Sequence, residues 1–157
     1  MFLTVHAAAG LSVATFTGNP FIAFVLGFFS HFLIDMIPHG DEKIDAFTNR
    51  WTRKHRIAAL AVIDIVIAAV LFFLFLKPLI LANPAVSLMG ALGGMMPDFI
   101  QGLAMFKKHK LLTLYERWHR WAHTLLKQEI PFRYGIIVQL SFLTLLLYPL
   151  VTEKFIF

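Results

Sequence analysis

The sequence predicts an all-α fold: a polytopic helical membrane protein with about five apolar helices and one amphipathic helix at the membrane interface. Hydrophobic residues make up 59% of the 157 residues and charged residues only 15%. Soluble domains carry about a quarter charged residues. The mean hydropathy is +0.74. The length fits one integral membrane domain, residues 1–157.

The apolar segments are separated by turn residues and basic loops. About 20 apolar residues cross a bilayer as a helix, so the first segment is short for a span and the third is the longest. Gly and Pro close the first segment, and an Asn-Pro pair separates the third from the fourth. The predicted spans are residues 2–16, 21–37, 57–81, 85–106 and 134–151.

Residues 111–127 predict a different kind of helix. At about 100° per residue, Leu, Tyr and Trp side chains form one broad apolar arc, and Arg117 and Arg120 fall opposite. This pattern is typical of a helix lying along the membrane surface with its Trp residues at headgroup depth. His119 and His123 fall on the border of the arc, where they can turn toward the bundle or toward the headgroups.

The distribution of positive charge predicts the orientation. Lys and Arg concentrate in the loops 39–56 and 107–133, and two spans separate these loops. Both therefore lie on one side, the cytoplasmic side by the positive-inside rule, with the N-terminus cytoplasmic and the C-terminus outside a bacterial-type inner membrane. The N-terminal segment has no basic region of the kind that starts a cleaved signal peptide.

Composition also limits the partners. The net charge is +5, but no nucleic-acid-binding motif accompanies it, so membrane lipids and not nucleic acid are the predicted partners. A lipid substrate and a homo-oligomer stay open. The absence of Cys leaves His, Asp and Glu as the available metal ligands.

Ionisable residues at the ends of the apolar segments are the candidate site. His31 and Asp35 are four residues apart, hence on one helix face, and such residues are costly in hydrocarbon. His6 and His31 each lie about twelve residues from the turn at Gly18, which places both about 18 Å below it. Asp98, about fourteen residues beyond the turn at Asn83-Pro84, reaches a similar depth. These side chains are therefore predicted to converge from three helices.

Imidazoles and carboxylates together are ligands of Zn²⁺, Mn²⁺ or Fe²⁺. The sequence thus predicts a divalent metal site, zinc or manganese, of one or two ions. The catalytic candidates are Asp41 or Glu42 as general base, Arg120 for an anionic headgroup, and His119 with His123 in or around the ligand shell. The predicted ligands are His6, His31, Asp35, His39 and Asp98, with Asp41 as an alternative to His39.

Four short stretches give a family resemblance. Residues 4–10 (TVHAAAG), 37–41 (IPHGD), 96–100 (MPDFI) and 119–124 (HRWAHT) are similar, in the same order, to motifs of the membrane-bound metal-dependent hydrolase family, the YdjM-like proteins of bacterial inner membranes. The second stretch has His where the family has its first Asp, and the fourth has one residue fewer between its histidines. The resemblance implies a metal-activated water attacking an ester or phosphoester.

Each candidate also has a plainer interpretation. His31 with Asp35 can be a hydrogen-bonded pair that locks two helices, and Asp98 can cap a helical turn. His6, His119 and His123 can face headgroups, and residues 39–41 can be a solvated loop. At the level of the whole protein, the alternative to a hydrolase is a non-enzymatic membrane protein: a carrier of metal ions or protons, or a scaffold.

Overall fold

The structure, a computed structural model, describes residues 1–40, 53–107, 109–126 and 130–152. Within these ranges the protein is all-helical, with seven helices and no strand, so the predicted all-α class is confirmed. The helices are α1 (Leu3–Ala14), α2 (Pro20–Asp35), α3 (Arg53–Phe75), α4 (Lys77–Ala82), α5 (Pro84–Phe106), α6 (Lys110–His123) and α7 (Phe132–Thr152).

Two Asn-Pro pairs begin helices α2 and α5. The side chain of Asn19 accepts hydrogen bonds from the amides of Phe21 and Ile22 at 2.9 and 3.3 Å. The side chain of Asn83 accepts one from the amide of Val86 at 3.4 Å. Asn satisfies amides that have no partner in the first helical turn, and Pro following it needs no such partner. The predicted turns are therefore also helix start signals.

Two helix boundaries differ from the sequence prediction. The segment 57–81 is not one helix, because α3 ends at Phe75 and α4 begins at Lys77. Pro78 explains the break, since a proline ring clashes with the carbonyl four residues earlier and removes a helical hydrogen bond. The amphipathic helix is shorter than predicted: α6 ends at His123 and a turn follows.

Helices α1, α2 and α5 form the centre of the fold and touch through glycines. A methyl group on Gly10 would collide with the carbonyl oxygen of Gly90, and one on Gly94 would collide with that of His6. Small residues let helix backbones approach this closely. The close approach places His6 of α1 directly against α5.

The outer helices pack around this centre. Helix α6 lies against α5 and α2, while α3 and α7 lie against α1. Two helical stretches of the described chain, His55–Phe75 and Phe132–Thr152, are long and apolar enough to cross a membrane by length and composition. Helices α1 and α2 are apolar but shorter. Helix α3 exposes large apolar side chains along most of its length, among them Val62, Ile63, Val66, Val70, Phe73 and Leu74.

Candidate metal centre

The carboxylate of Asp35, at the end of α2, lies at the centre of the candidate site. Its side chain is fully buried, and five imidazoles surround it. They come from α1, α2, the segment after α2, and α6. From the nearer Asp35 oxygen, the distance to Nε2 of each imidazole is 2.9 Å for His31, 3.0 Å for His123, 3.1 Å for His6, 3.5 Å for His119 and 4.0 Å for His39.

Asp98 adds a second carboxylate from α5. Its Oδ1 lies 3.8 Å from His31 Nε2 and 3.9 Å from His119 Nε2, and its Oδ2 lies 3.7 Å from His6 Nε2. The side chain is 23% exposed, whereas those of His6, His31 and His119 are fully buried. Asp98 lies inside α5 and not at a helix start, so the interpretation as a cap is wrong.

His31 shows why this centre needs positive charge. Its Nδ1 lies 2.9 Å from the carbonyl oxygen of Gly94, and a carbonyl only accepts, so Nδ1 carries a proton. In a neutral ring Nε2 then carries a lone pair and no proton, so it can only accept a hydrogen bond. It nevertheless lies 2.9 Å from an oxygen of Asp35, which also only accepts, and 3.0 Å from Nε2 of His119. A second proton on His31 or a metal ion between these atoms satisfies the geometry.

Several atoms at the centre are buried and make no hydrogen bond of good geometry with the described residues. They are both ring nitrogens of His6, Oδ2 of Asp35 and Nδ1 of His119. A buried polar atom without a partner costs about 1–3 kcal/mol. Oδ2 of Asp35 has imidazole nitrogens close by but badly aligned for hydrogen bonds. Of the four atoms, Nε2 of His6 and Oδ2 of Asp35 face the other donors of the centre, and converging atoms of this kind fit the ligand shell of a cation.

His39 is held at the edge of the centre. Its Nδ1 donates to the carbonyl oxygen of Ile37 at 2.7 Å, and its Nε2 lies 2.8 Å from the backbone nitrogen of Met1. That nitrogen also lies 3.0 Å from Oδ1 of Asp35. His39 is buried, so the interpretation of this residue as part of a solvated loop is wrong. As in His31, a backbone carbonyl fixes the tautomer that presents Nε2 to Asp35.

Gln139 of α7 supports His39 and was missed by the sequence analysis. It is buried, its Nε2 donates to the carbonyl oxygen of His39 at 3.0 Å, and its Oε1 accepts from the amide of Phe2 at 2.7 Å. Gly135, one turn earlier, lets the α7 backbone approach the same carbonyl. In the sequence, the only signal for this role is a Gln within a predominantly apolar segment.

Helix α6 is fixed by Tyr115, which was also not predicted. The hydroxyl donates to the carbonyl oxygen of Pro97 in α5 at 2.9 Å, and the ring stacks on that of His119 with 5.8 Å between centroids. Burial raises the pKa of Tyr115, and the carboxylates of Asp98 and Asp35 raise it further. The hydroxyl therefore stays protonated, and it acts as a donor that orients His119, not as a base.

Asp64 of α3 anchors the start of α1. Its Oδ2 accepts from the amide of Thr4 at 3.2 Å, its backbone carbonyl accepts from the Thr4 hydroxyl at 3.0 Å, and its Oδ1 contacts the same hydroxyl. Thr4 precedes His6 by two residues. Asp64 thus bonds a neighbouring helix and positions the segment that carries His6.

The ligand atoms form two groups that can hold a metal ion, each with atoms within 4.8 Å of one another. Four ligands about 2.0–2.2 Å from zinc in a tetrahedron lie about 3.3–3.6 Å apart. The measured distances in the first group, 2.9–3.9 Å, span that value. The first group is His31, Asp35, Asp98 and His119; the second is Asp35, His39 and His123.

The structure brings together the five residues predicted as ligands, and it places His119 and His123, expected in or around the ligand shell, beside them. His119 is fully buried, so its headgroup-facing alternative is wrong. Arg120 points away from the centre: its side chain is 60% exposed and lies 3.7 Å from Glu116. Asp41 and Glu42 lie outside the described residues.

Comparison with known proteins adds no assignment. No family model, curated protein or solved structure matches the chain. The buried His and Asp residues and their geometry therefore carry the functional argument.

Proposed function

We propose that this protein is a metal-dependent membrane hydrolase, similar to the YdjM-like family, whose site binds a divalent ion near the cytoplasmic interface of the inner membrane. One observation carries the proposal: Nε2 of His31, with Nδ1 committed to the Gly94 carbonyl, lies 2.9 Å from a carboxylate oxygen and 3.0 Å from a second imidazole. A cation among these three atoms satisfies all of them.

A metal ion explains the composition of the centre better than a structural lock. A lock between two helices needs one carboxylate and one imidazole, as in an ordinary buried ion pair. Here five imidazoles and two carboxylates converge from four helices and one connecting segment. With His nitrogen and carboxylate oxygen but no thiolate, the donors favour zinc or manganese.

The membrane setting is supported by the exposed apolar surfaces. Helix α3 presents aliphatic and Phe side chains outward, and α6 exposes Leu111, Leu114, Trp118 and Trp121. A bilayer around α3 and α7, with α6 at headgroup depth, would cover these surfaces. The centre would then lie at the level of α6, on the side where the basic loops are cytoplasmic.

A bound ion would lower the pKa of a coordinated water toward neutrality and polarise the bond to be hydrolysed. His31, His119, Asp35 and Asp98 would hold it. Asp98, with a 23% exposed side chain, marks the open side of the centre. Water and substrate would enter there.

A lipid or lipid-linked phosphoester suits this position. The exposed guanidinium of Arg120, on α6, lies at the proposed headgroup level and can bind an anionic headgroup outside the centre. A carrier of metal ions or protons is the alternative, but the imidazoles and carboxylates of the centre form one cluster around Asp35 and Asp98. A path across the membrane needs polar residues along both halves of the span.

The test compares purified wild type in detergent with His31→Ala, and with His109→Ala as the control. His109 is exposed and caps the start of α6, ten residues and therefore about 15 Å before His119. We expect bound zinc or manganese, and hydrolysis of phosphoester lipids in mixed micelles, in wild type and in the control. In His31→Ala the metal content should fall and hydrolysis should be lost. Equal metal content in all three proteins would contradict the site, and metal without hydrolysis of the lipids tested would favour the carrier.

A further inference from the structure

We infer that the centre is dinuclear: Asp35 bridges two divalent ions, one bound with His31, Asp98 and His119 and a second bound with His39 and His123. The inference rests on the proposed metal site and deepens it. Asp35 belongs to both groups of ligand atoms that lie within 4.8 Å of one another, and the remaining members of the two groups are different.

The two oxygens of Asp35 have different neighbours. Oδ2 lies 2.9 Å from His31, 3.0 Å from His123 and 3.5 Å from His119, while Oδ1 lies 3.1 Å from His6 and 4.0 Å from His39. A carboxylate with imidazoles at both oxygens has the arrangement of a bridge. Such bridged pairs place their ions about 3.5–4 Å apart. His123 shares Oδ2 with the first group, but it forms a group within 4.8 Å only with His39 and Asp35.

Asp98 divides its oxygens in the same way. Its Oδ1 faces His31 and His119, and its Oδ2 faces His6. His6 therefore lies beside the second oxygen of both carboxylates, with both ring nitrogens buried and not hydrogen-bonded within the described residues. This position allows His6 to complete the shell of the second ion.

At the second position, the backbone nitrogen of Met1 lies 3.0 Å from Oδ1 of Asp35 and 2.8 Å from Nε2 of His39. A bound ion would take the place of this nitrogen between the two side chains. His123 approaches Asp35 from the other side at 3.0 Å, and its side chain is 15% exposed. An ion at this position would be reached from the open side of the centre, where substrate enters.

His31 and His119 serve the first ion, whereas His39 and His123 serve the second. His39 gives the cleaner removal, because it approaches Oδ1 of Asp35, while His123 approaches Oδ2 and its ring contacts that of His119. Loss of the second pair should therefore leave one ion bound. A single-ion site that merely tolerates extra histidines would keep the same stoichiometry after their removal.

The experiment measures manganese per polypeptide and the electron paramagnetic resonance spectrum of the purified, manganese-loaded protein. We expect two ions and an exchange-coupled spectrum in wild type and in the His109→Ala control. His123→Ala and His39→Ala should each bind one ion and give the spectrum of isolated Mn²⁺. His123→Gln, which keeps the bulk and loses the imidazole, repeats the test if His123→Ala does not fold.

Each other outcome overturns part of the argument. One ion in wild type, with an uncoupled spectrum, would overturn the dinuclear centre and leave the proposed function intact. The same would follow from two ions in both His39→Ala and His123→Ala. No ion in wild type would overturn the dinuclear centre and the proposed metal site together.

Discussion

Replacing Asp35 by Asn tests whether the centre binds an ion or only locks helices. Asn keeps the shape of the side chain but removes the charge that five imidazole nitrogens approach within 4.0 Å. Structural zinc binding totals about 10–16 kcal/mol, so one ligand in four accounts for about 2.5–4 kcal/mol. At about 1.4 kcal/mol per tenfold change, Asp35→Asn should weaken metal affinity by roughly 60-fold or more.

The assay is competition with a fluorescent chelator for zinc, measured on wild type, Asp35→Asn and Glu116→Gln in detergent. Glu116 is partly exposed and pairs with Arg120, so its replacement removes one negative charge from α6 without removing a ligand. We expect the control to bind zinc within about twofold of wild type, because exposed charges near a site contribute little after solvent screening.

The helix-lock interpretation makes a different prediction for the same variant. Breaking a buried ion pair costs about 3–5 kcal/mol of stability, and the loss would then be equal with and without zinc. Thermal denaturation in both conditions separates the two cases. Asp35→Asn with wild-type zinc affinity, or with a stability loss that zinc does not change, would refute the reasoning.

Three further predictions concern the surroundings of the centre. Gly94→Ala should destabilise the protein by about 1–3 kcal/mol in thermal denaturation, because the new methyl group meets the backbone of α1. The control Gly102→Ala, with open space around its position, should instead stabilise the protein by about 0.5–1 kcal/mol. Equal effects of the two substitutions would contradict the close packing at Gly94. Gln139→Leu should cost about 1–3 kcal/mol, since the amide of Phe2 and the carbonyl of His39 both lose a partner, and unchanged stability would contradict that role. Metal binding should release protons and weaken as the pH falls, because imidazole binds metal only when its nitrogen is deprotonated. Calorimetry in two buffers of different ionisation enthalpy measures the number of protons released. A binding heat that does not depend on the buffer would contradict proton release.

The convergence of the ligands was predictable because it depends on simple geometry. A constant rise per residue on either side of a hairpin turn places His6 and His31 at one depth, and their rings stack with 3.9 Å between centroids. The spacing of four residues similarly places His31 and Asp35 on one face. Helix periodicity and turn residues were sufficient for this part of the site.

The contribution of α6 was harder to predict. Periodicity placed His119 and His123 at the border of an apolar arc, and a border residue can face either way. The hydroxyl of Tyr115 and its bond to the Pro97 carbonyl decide the orientation, and this contact depends on how two distant helices pack. The same is true of Gln139, whose partners lie 100 and 137 residues away.

The candidate ligands are spread from His6 to His123, so the site is complete only after α6 has been synthesised. Earlier stages of biogenesis have the imidazoles of α1 and α2 and the carboxylate of Asp35, but not the residues of α6. Ion capture would then follow the packing of the first five helices and the arrival of α6. Loading with metal would thereby report that the helices have assembled in the correct order.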